Sequence, residues 1–173
     1  MESIVIRLAG EPQAKLRPRF VRSTGTAFTP SSTRKYESAL RYAAQVEMIG
    51  RPVMEGPIEV TVVAAFPVPL HFSRKKRAAA LLGEIRPAKK PDCDNLLKQL
   101  DAFNQVVWQD DKQIVKAAIE KVYSERPELC VVITPFKTTY VEPLMAPWLP
   151  PAHTHNDVQT GETNGEDGST DVA

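Results

Sequence analysis

The chain has 173 residues, 42% apolar and 25% charged, enough for one ordinary soluble domain with length to spare. Its two cysteines, Cys93 and Cys130, have no CxxC or Cys/His spacing, which argues against a disulfide framework and a zinc site. No apolar run approaches the roughly 20 residues of a membrane span, so no membrane partner and a cytoplasmic location are expected. The net charge of +1 conceals an asymmetry: residues 1–137 hold all 22 Lys and Arg but 15 acids, whereas residues 138–173 hold six acids and no Lys or Arg. A basic body suits an anionic partner such as nucleic acid.

In chain order, alternating Ile4, Ile6 and Leu8 before Gly10 predict a first strand. Lys15, Arg17, Arg19 and Arg22 then crowd around Pro18 in a basic loop, and Ser23-Thr24-Gly25 predicts the turn of a hairpin ending near Thr29. Ser31, Ser32 and Thr33 offer N-cap oxygens to a helix running to about Met48, with Tyr36, Ala39, Leu40 and Ala43 at helical spacing. Residues 58–66 form the clearest strand, closed by Pro67 and Pro69, and a short helix is expected over 73–82. After a loop carrying Arg86, Lys89 and Lys90, a helix starts near Asp94; residues 114–123 and 129–134 then read as two strands of an antiparallel hairpin turning at Arg126-Pro127. This order predicts an α+β (mixed α/β) domain over 1–137, a small mixed sheet with an antiparallel C-terminal hairpin, covered by helices. The Pro-rich, then acidic stretch 138–173 has too little apolar surface to fold and is expected to be disordered.

Chemistry concentrates between Asp92 and Asp111, where five aspartates fall within 20 residues. In a helix starting near Asp94, Asp94, Lys98 and Asp101 share one face while Leu96, Leu97, Leu100 and Phe103 take the other. Carboxylates this close repel one another, and a divalent cation supplies counter-charge; magnesium takes hard oxygen ligands and suits phosphodiester chemistry. A capping role for Asp92 or Asp94 and a turn role for Asp110-Asp111 explain the same residues without catalysis. An EF-hand loop is excluded by Leu96 and Leu97 at its fifth and sixth positions. An aspartyl-phosphate phosphatase would need a buried strand before its acids, where this chain has residues 86–91 with three cations and two prolines. A nucleotide-sugar Asp-x-Asp remains open, though no Gly-rich phosphate loop accompanies it.

Lys90-Pro-Asp-Cys-Asp-Asn-Leu-Leu-Lys98, Leu100-Asp-Ala102, Val107-Trp-Gln-Asp-Asp-Lys-Gln-Ile114 and a strand bearing Lys121 together resemble the RusA family of Holliday-junction resolvases, common in bacteria and prophages. The Lys-x-Arg-Pro-Arg element at Lys15 to Arg19, before a Thr-Pro and a helix, is similar to that family too, and the likeness spans roughly residues 2–136. The resemblance implies a homodimer that recombines and repairs DNA by nicking four-way junctions in pairs, using magnesium, with manganese as a substitute. It implies catalytic acids and metal ligands at Asp92, Asp94 and Asp111 and a catalytic lysine at Lys98, with Asp101 and Asp110 in support. Lys98 alone reads equally as an i,i+4 ion pair with Asp94, and Asp101 as a partner of Lys98 or of its helix surroundings. Lys15, Arg17, Arg19, Lys89 and Lys90 are expected to contact DNA phosphates. A non-catalytic architectural DNA-binding protein and a broader flap or Y-DNA nuclease are the alternatives.

Overall fold

The computed structural model describes residues 2–137 apart from Thr24, without the side chains of Arg19 and Val21. The stretch 138–173, expected to be disordered, lies outside the described residues.

Strand β1 (Ile4–Ala9) is followed by a short ribbon, β2 (Arg19–Val21) and β3 (Thr26–Phe28), and then helix α1 (Ser31–Glu47). Next come β4 (Ile58–Pro67), α2 (Arg74–Leu81), α3 (Cys93–Leu97), two 3-10 helices at Lys98–Phe103 and Asp111–Gln113, and the last strands β5 (Ile114–Ser124) and β6 (Glu128–Pro135). The main sheet has the order β1-β6-β4-β5, with β6 antiparallel to both neighbours and β4 parallel to β5. The expected mixed α+β class is therefore observed.

The expected C-terminal hairpin is corrected. β5 and β6 run in opposite directions but do not pair, because β4 lies between them. Pro67 aligns with Ser124 and Ala65 with Glu128, so the short link after Ser124 passes over the end of β4. The reason is burial. β4 and β6 are apolar along one whole face, and side by side they put Ile58, Val60, Val62, Ala64, Leu129, Val131 and Ile133 into one core. β5, bearing Lys116, Glu120 and Lys121, takes the edge, where charge also discourages pairing with other chains.

One sheet face is covered by α1, through Tyr36, Leu40 and Ala44, and by Leu96, Leu100, Phe103, Val107 and Trp108. The buried Trp108 ring meets Phe103 edge-on at 5.6 Å, and its indole N–H donates to Asn104 Oδ1 at 2.7 Å. Such a pair is worth about 0.5–1.5 kcal/mol beyond the area it buries. α1 starts after Pro30 with no side-chain cap. Thr33, expected as a capping residue, is buried and its Oγ1 accepts from the Leu16 amide at 3.3 Å. α2 is capped by Ser73, whose Oγ accepts from the Lys76 amide. Both cysteines are free, Cys93 exposed and Cys130 buried.

Candidate active site

The polar helix face expected from the spacing is only partly helical. α3 ends at Leu97, and the chain tightens into the 3-10 helix Lys98–Phe103. The tightening buries Gln99, Leu100, Ala102 and Phe103 together, and residues three apart eclipse in such a helix. Asp94 and Lys98 still meet, Nζ donating to Oδ2 at 2.9 Å. That hydrogen bond holds the Asp94 carboxyl below its ordinary range, outweighing the opposing desolvation.

Asp94, Lys98, Asp101 and Asp111 line one open cleft of about 340 Å³, floored by Leu97, Leu100, Ile114 and Ala117. The cleft lies where the helical cover meets the first residues of edge strand β5, and Ala117, a small side chain on the core-facing side of that strand, leaves room there. Asp92 does not line it. It occupies the N-cap position of α3, yet its exposed carboxylate makes no capping hydrogen bond, so capping does not account for this acid. Asp110 does cap: Oδ1 accepts from the Lys112 amide at 3.0 Å, the main cause of its lowered pKa, and Asp111 lies beside it.

Two residues without a role in the sequence reading fix the acid-bearing loops. Gln113 donates to the carbonyls of Met54 (3.1 Å) and Gly56 (2.9 Å), while its Oε1 accepts from the amides of Gln109 (2.9 Å) and Asp110 (3.3 Å). Asp110 and Gln113 form a capping box around the turn that carries Asp111. Asp-x-x-Gln is a readable capping signal, so Gln113 was discoverable from sequence. Lys121, on β5, donates to the carbonyls of Lys89 and, at 3.0 Å, of Pro91, immediately before Asp92. That tie spans some thirty residues and has no local sequence signal.

The cations divide into held and free. Lys15 is held: Nζ meets Asp101 Oδ2 at 2.7 Å and Glu37 Oε1 at 2.9 Å. Burial opposes its charge, but the hydrogen bonds to Asp101 and Glu37 prevail and raise its pKa. Lys15 is therefore committed to an internal triad rather than presented as a free phosphate contact, and Asp101 pairs with it rather than with Lys98. Lys89 makes a looser pair with Glu11 at 3.7 Å. Arg17 and Lys90 are exposed and no ion pair engages them among the described residues. Arg19 lies in β2, and its side chain is outside the described residues. A second recess on the far side of Asp101 is lined by Arg34 and Arg41 of α1, cations that helical periodicity alone gave no reason to single out.

The donor chemistry in the cleft is hard oxygen, as magnesium prefers. Among the described residues no group of three or more acids, histidines or cysteines lies close enough to hold a metal. The fit is therefore to an ion held by one or two carboxylates, with water and phosphate oxygens completing the shell. No helix among the described residues is long and apolar enough to cross a membrane.

The family model "Endodeoxyribonuclease RusA" matches residues 9–134, from the end of β1 to the end of β6. The chain is also 35% identical over 139 residues, 77% of its length and 96% of the relative's, to the uncharacterized protein YqaN of Bacillus subtilis (strain 168). The matched span contains the whole cleft, both anchoring residues and the basic N-terminal loop, and the chain belongs to the RusA endodeoxyribonuclease family.

Proposed function

We propose that the protein is a magnesium-dependent endonuclease that resolves four-way DNA junctions by paired nicks, acting as a homodimer. The observation carrying this reading is the meeting of Asp94, Lys98 and Asp111 in one solvent-open cleft of a chain in an endodeoxyribonuclease family. Asp94 and Asp111 are the proposed principal metal ligands, and Asp92, unused by its helix, is proposed to join them when substrate is bound. Manganese, of similar ligand preference, is expected to substitute. An ion held by these carboxylates would supply a water of lowered pKa and counter-charge for the phosphate.

The chain's own residues do the rest. Lys98, fixed by Asp94, lines the cleft, where its ammonium orients a scissile phosphate and stabilises added negative charge in the transition state. Lys15 ties Asp101 to Glu37 and so holds one wall of the cleft in place. Arg17, Arg19, Lys89 and Lys90 are proposed to bear on flanking phosphates, an interaction that positions DNA without reading its sequence. A two-fold dimer follows from the substrate, because productive resolution needs nicks in two symmetry-related strands.

The test is incubation of a synthetic mobile four-way junction with the protein, with and without magnesium, beside flap, Y-shaped and linear substrates of the same sequence. The expected result is paired nicks in the junction alone that require magnesium or manganese. Equal rates on all branched substrates would replace junction resolution with a broader branched-DNA activity, and band shift without nicking would leave an architectural protein.

A further inference from the structure

Of the six phenylalanines, the two most exposed, Phe20 (65%) and Phe28 (45%), both sit on the β2–β3 ribbon. The ribbon pairs Phe20 with Ala27, so no cross-strand ring covers the Phe20 face. Successive strand residues point to opposite sides, which places Phe28 on the other face. Arg17 and Arg22 flank the ribbon strand, both exposed and without an ion pair among the described residues. A two-stranded ribbon of three-residue strands is marginal by itself, and this one buries neither ring.

Its base, however, is tied to the cleft wall. Gln99 donates to the Gln13 carbonyl at 3.0 Å, the Lys15 amide to the Asn95 carbonyl at 3.4 Å, and the Leu16 amide to Thr33. Lys15 adds its ion pair to Asp101, a residue lining the cleft. The ribbon thus leaves the body beside the candidate catalytic residues, carrying an uncovered aromatic ring between free cations. Nucleic acid that exposes a base fits that chemistry: cations take phosphates, and a bare ring offers a stacking platform for any base.

We propose that the β2–β3 ribbon is a branch-point reader, with Phe20 stacking on a base unpaired where duplex arms meet and Arg17 and Arg22 holding the adjacent phosphates. The inference rests on the DNA-nicking reading above and adds a residue-level source of selectivity for branched over linear DNA. An intact duplex has no free base face to offer the ring, so linear DNA would gain only the phosphate contacts.

The test uses the full chain in calcium, comparing wild type, Phe20→Ala and Phe20→Trp for affinity toward a four-way junction and a linear duplex of the same sequence. Permanganate reactivity of thymines at the branch reports their unstacking. Base–aromatic stacking predicts that Phe20→Ala weakens junction binding about 5- to 150-fold. Duplex binding should stay within about twofold, thymine reactivity at the branch should change with wild type and not with Phe20→Ala, and Phe20→Trp should restore both junction affinity and that reactivity. Unchanged thermal unfolding of Phe20→Ala, expected for so exposed a ring, excludes misfolding as the cause. Junction affinity and permanganate pattern unaltered in Phe20→Ala would overturn the proposal. Wild-type nicking measured in parallel with magnesium separates the two readings: its absence counts against the nuclease, whereas nicking with an indifferent Phe20 counts against the ribbon alone.

Discussion

Lys15 and Arg17 lie two residues apart in the same basic run, yet their surroundings assign them different work. Lys15 links Asp101 to Glu37, so Lys15→Met leaves two carboxylates facing each other. For this part-exposed triad the loss is about 1 kcal/mol, read as a fall of about 4 °C in thermal unfolding. The raised pKa of Lys15 means that its stabilisation is fully present below the ordinary lysine value of 10.5 and is lost as pH rises through the folded value above it. The stability difference between wild type and Lys15→Met should accordingly stay constant from pH 7 to 10 and shrink only in stronger alkali. Arg17→Ala should behave oppositely, with unaltered unfolding and a salt slope of DNA binding lower by about one. A reduced salt slope with Lys15→Met and none with Arg17→Ala would reverse these assignments.

At the scale of elements, the acids depend on two anchors distant in sequence from the helix that bears Asp94. Gln113 makes four hydrogen bonds to backbone at the turn carrying Asp111. Gln113→Ala should cost about 2 kcal/mol, at roughly 0.5–1.5 kcal/mol per bond with partial compensation by water. It should also lower kcat about tenfold with little change in KM, because the residue orients an acid rather than binding DNA. A fall in stability with kcat intact would show the turn to be scaffold only. The elements themselves were largely legible. Alternation marks β4, and the Ser23-Thr24-Gly25 turn marks the ribbon. The sequence points to a β5–β6 hairpin because a short link normally joins neighbours, whereas the shared apolar face of β4 and β6 outweighs that rule. The acid-bearing segment could be located from Asp spacing, but the break from α3 into a 3-10 helix could not, since it arises from burying Gln99 and Leu100 under the sheet. The Lys121 tie to the loop before Asp92 and the Lys15 triad were likewise hidden, both being contacts between segments far apart in the chain.

For the whole molecule, the cleft, the ribbon base and the free cations all fall within residues 9–134, the span shared with the family. A chain ending at Lys137 should therefore keep magnesium-dependent nicking, and loss of nicking on that truncation would give residues 138–173 a part in the reaction. Homodimerisation should appear as a single species of twice the chain mass in sedimentation at the concentrations used for cleavage. A monomer there would count against paired nicking. Net charge follows the same division: residues 1–137 carry all 22 Lys and Arg against 15 acids, and residues 138–173 carry six acids and no Lys or Arg, so the body is the part suited to an anionic partner.

The central claim, that the cleft between α3 and the start of β5 is the nuclease centre, is tested most directly by Asp94→Asn on a four-way junction. The substitution keeps the size of the side chain and a neutral hydrogen-bonding partner for Lys98 while removing the charge that would bind a metal. Nicking in magnesium should fall by at least about a thousandfold, the scale on which a single electrostatic contributor to a transition state acts, with junction affinity in calcium within a few-fold of wild type and unfolding unaltered. Asp94→Asn that nicks the junction at the wild-type rate would contradict the account.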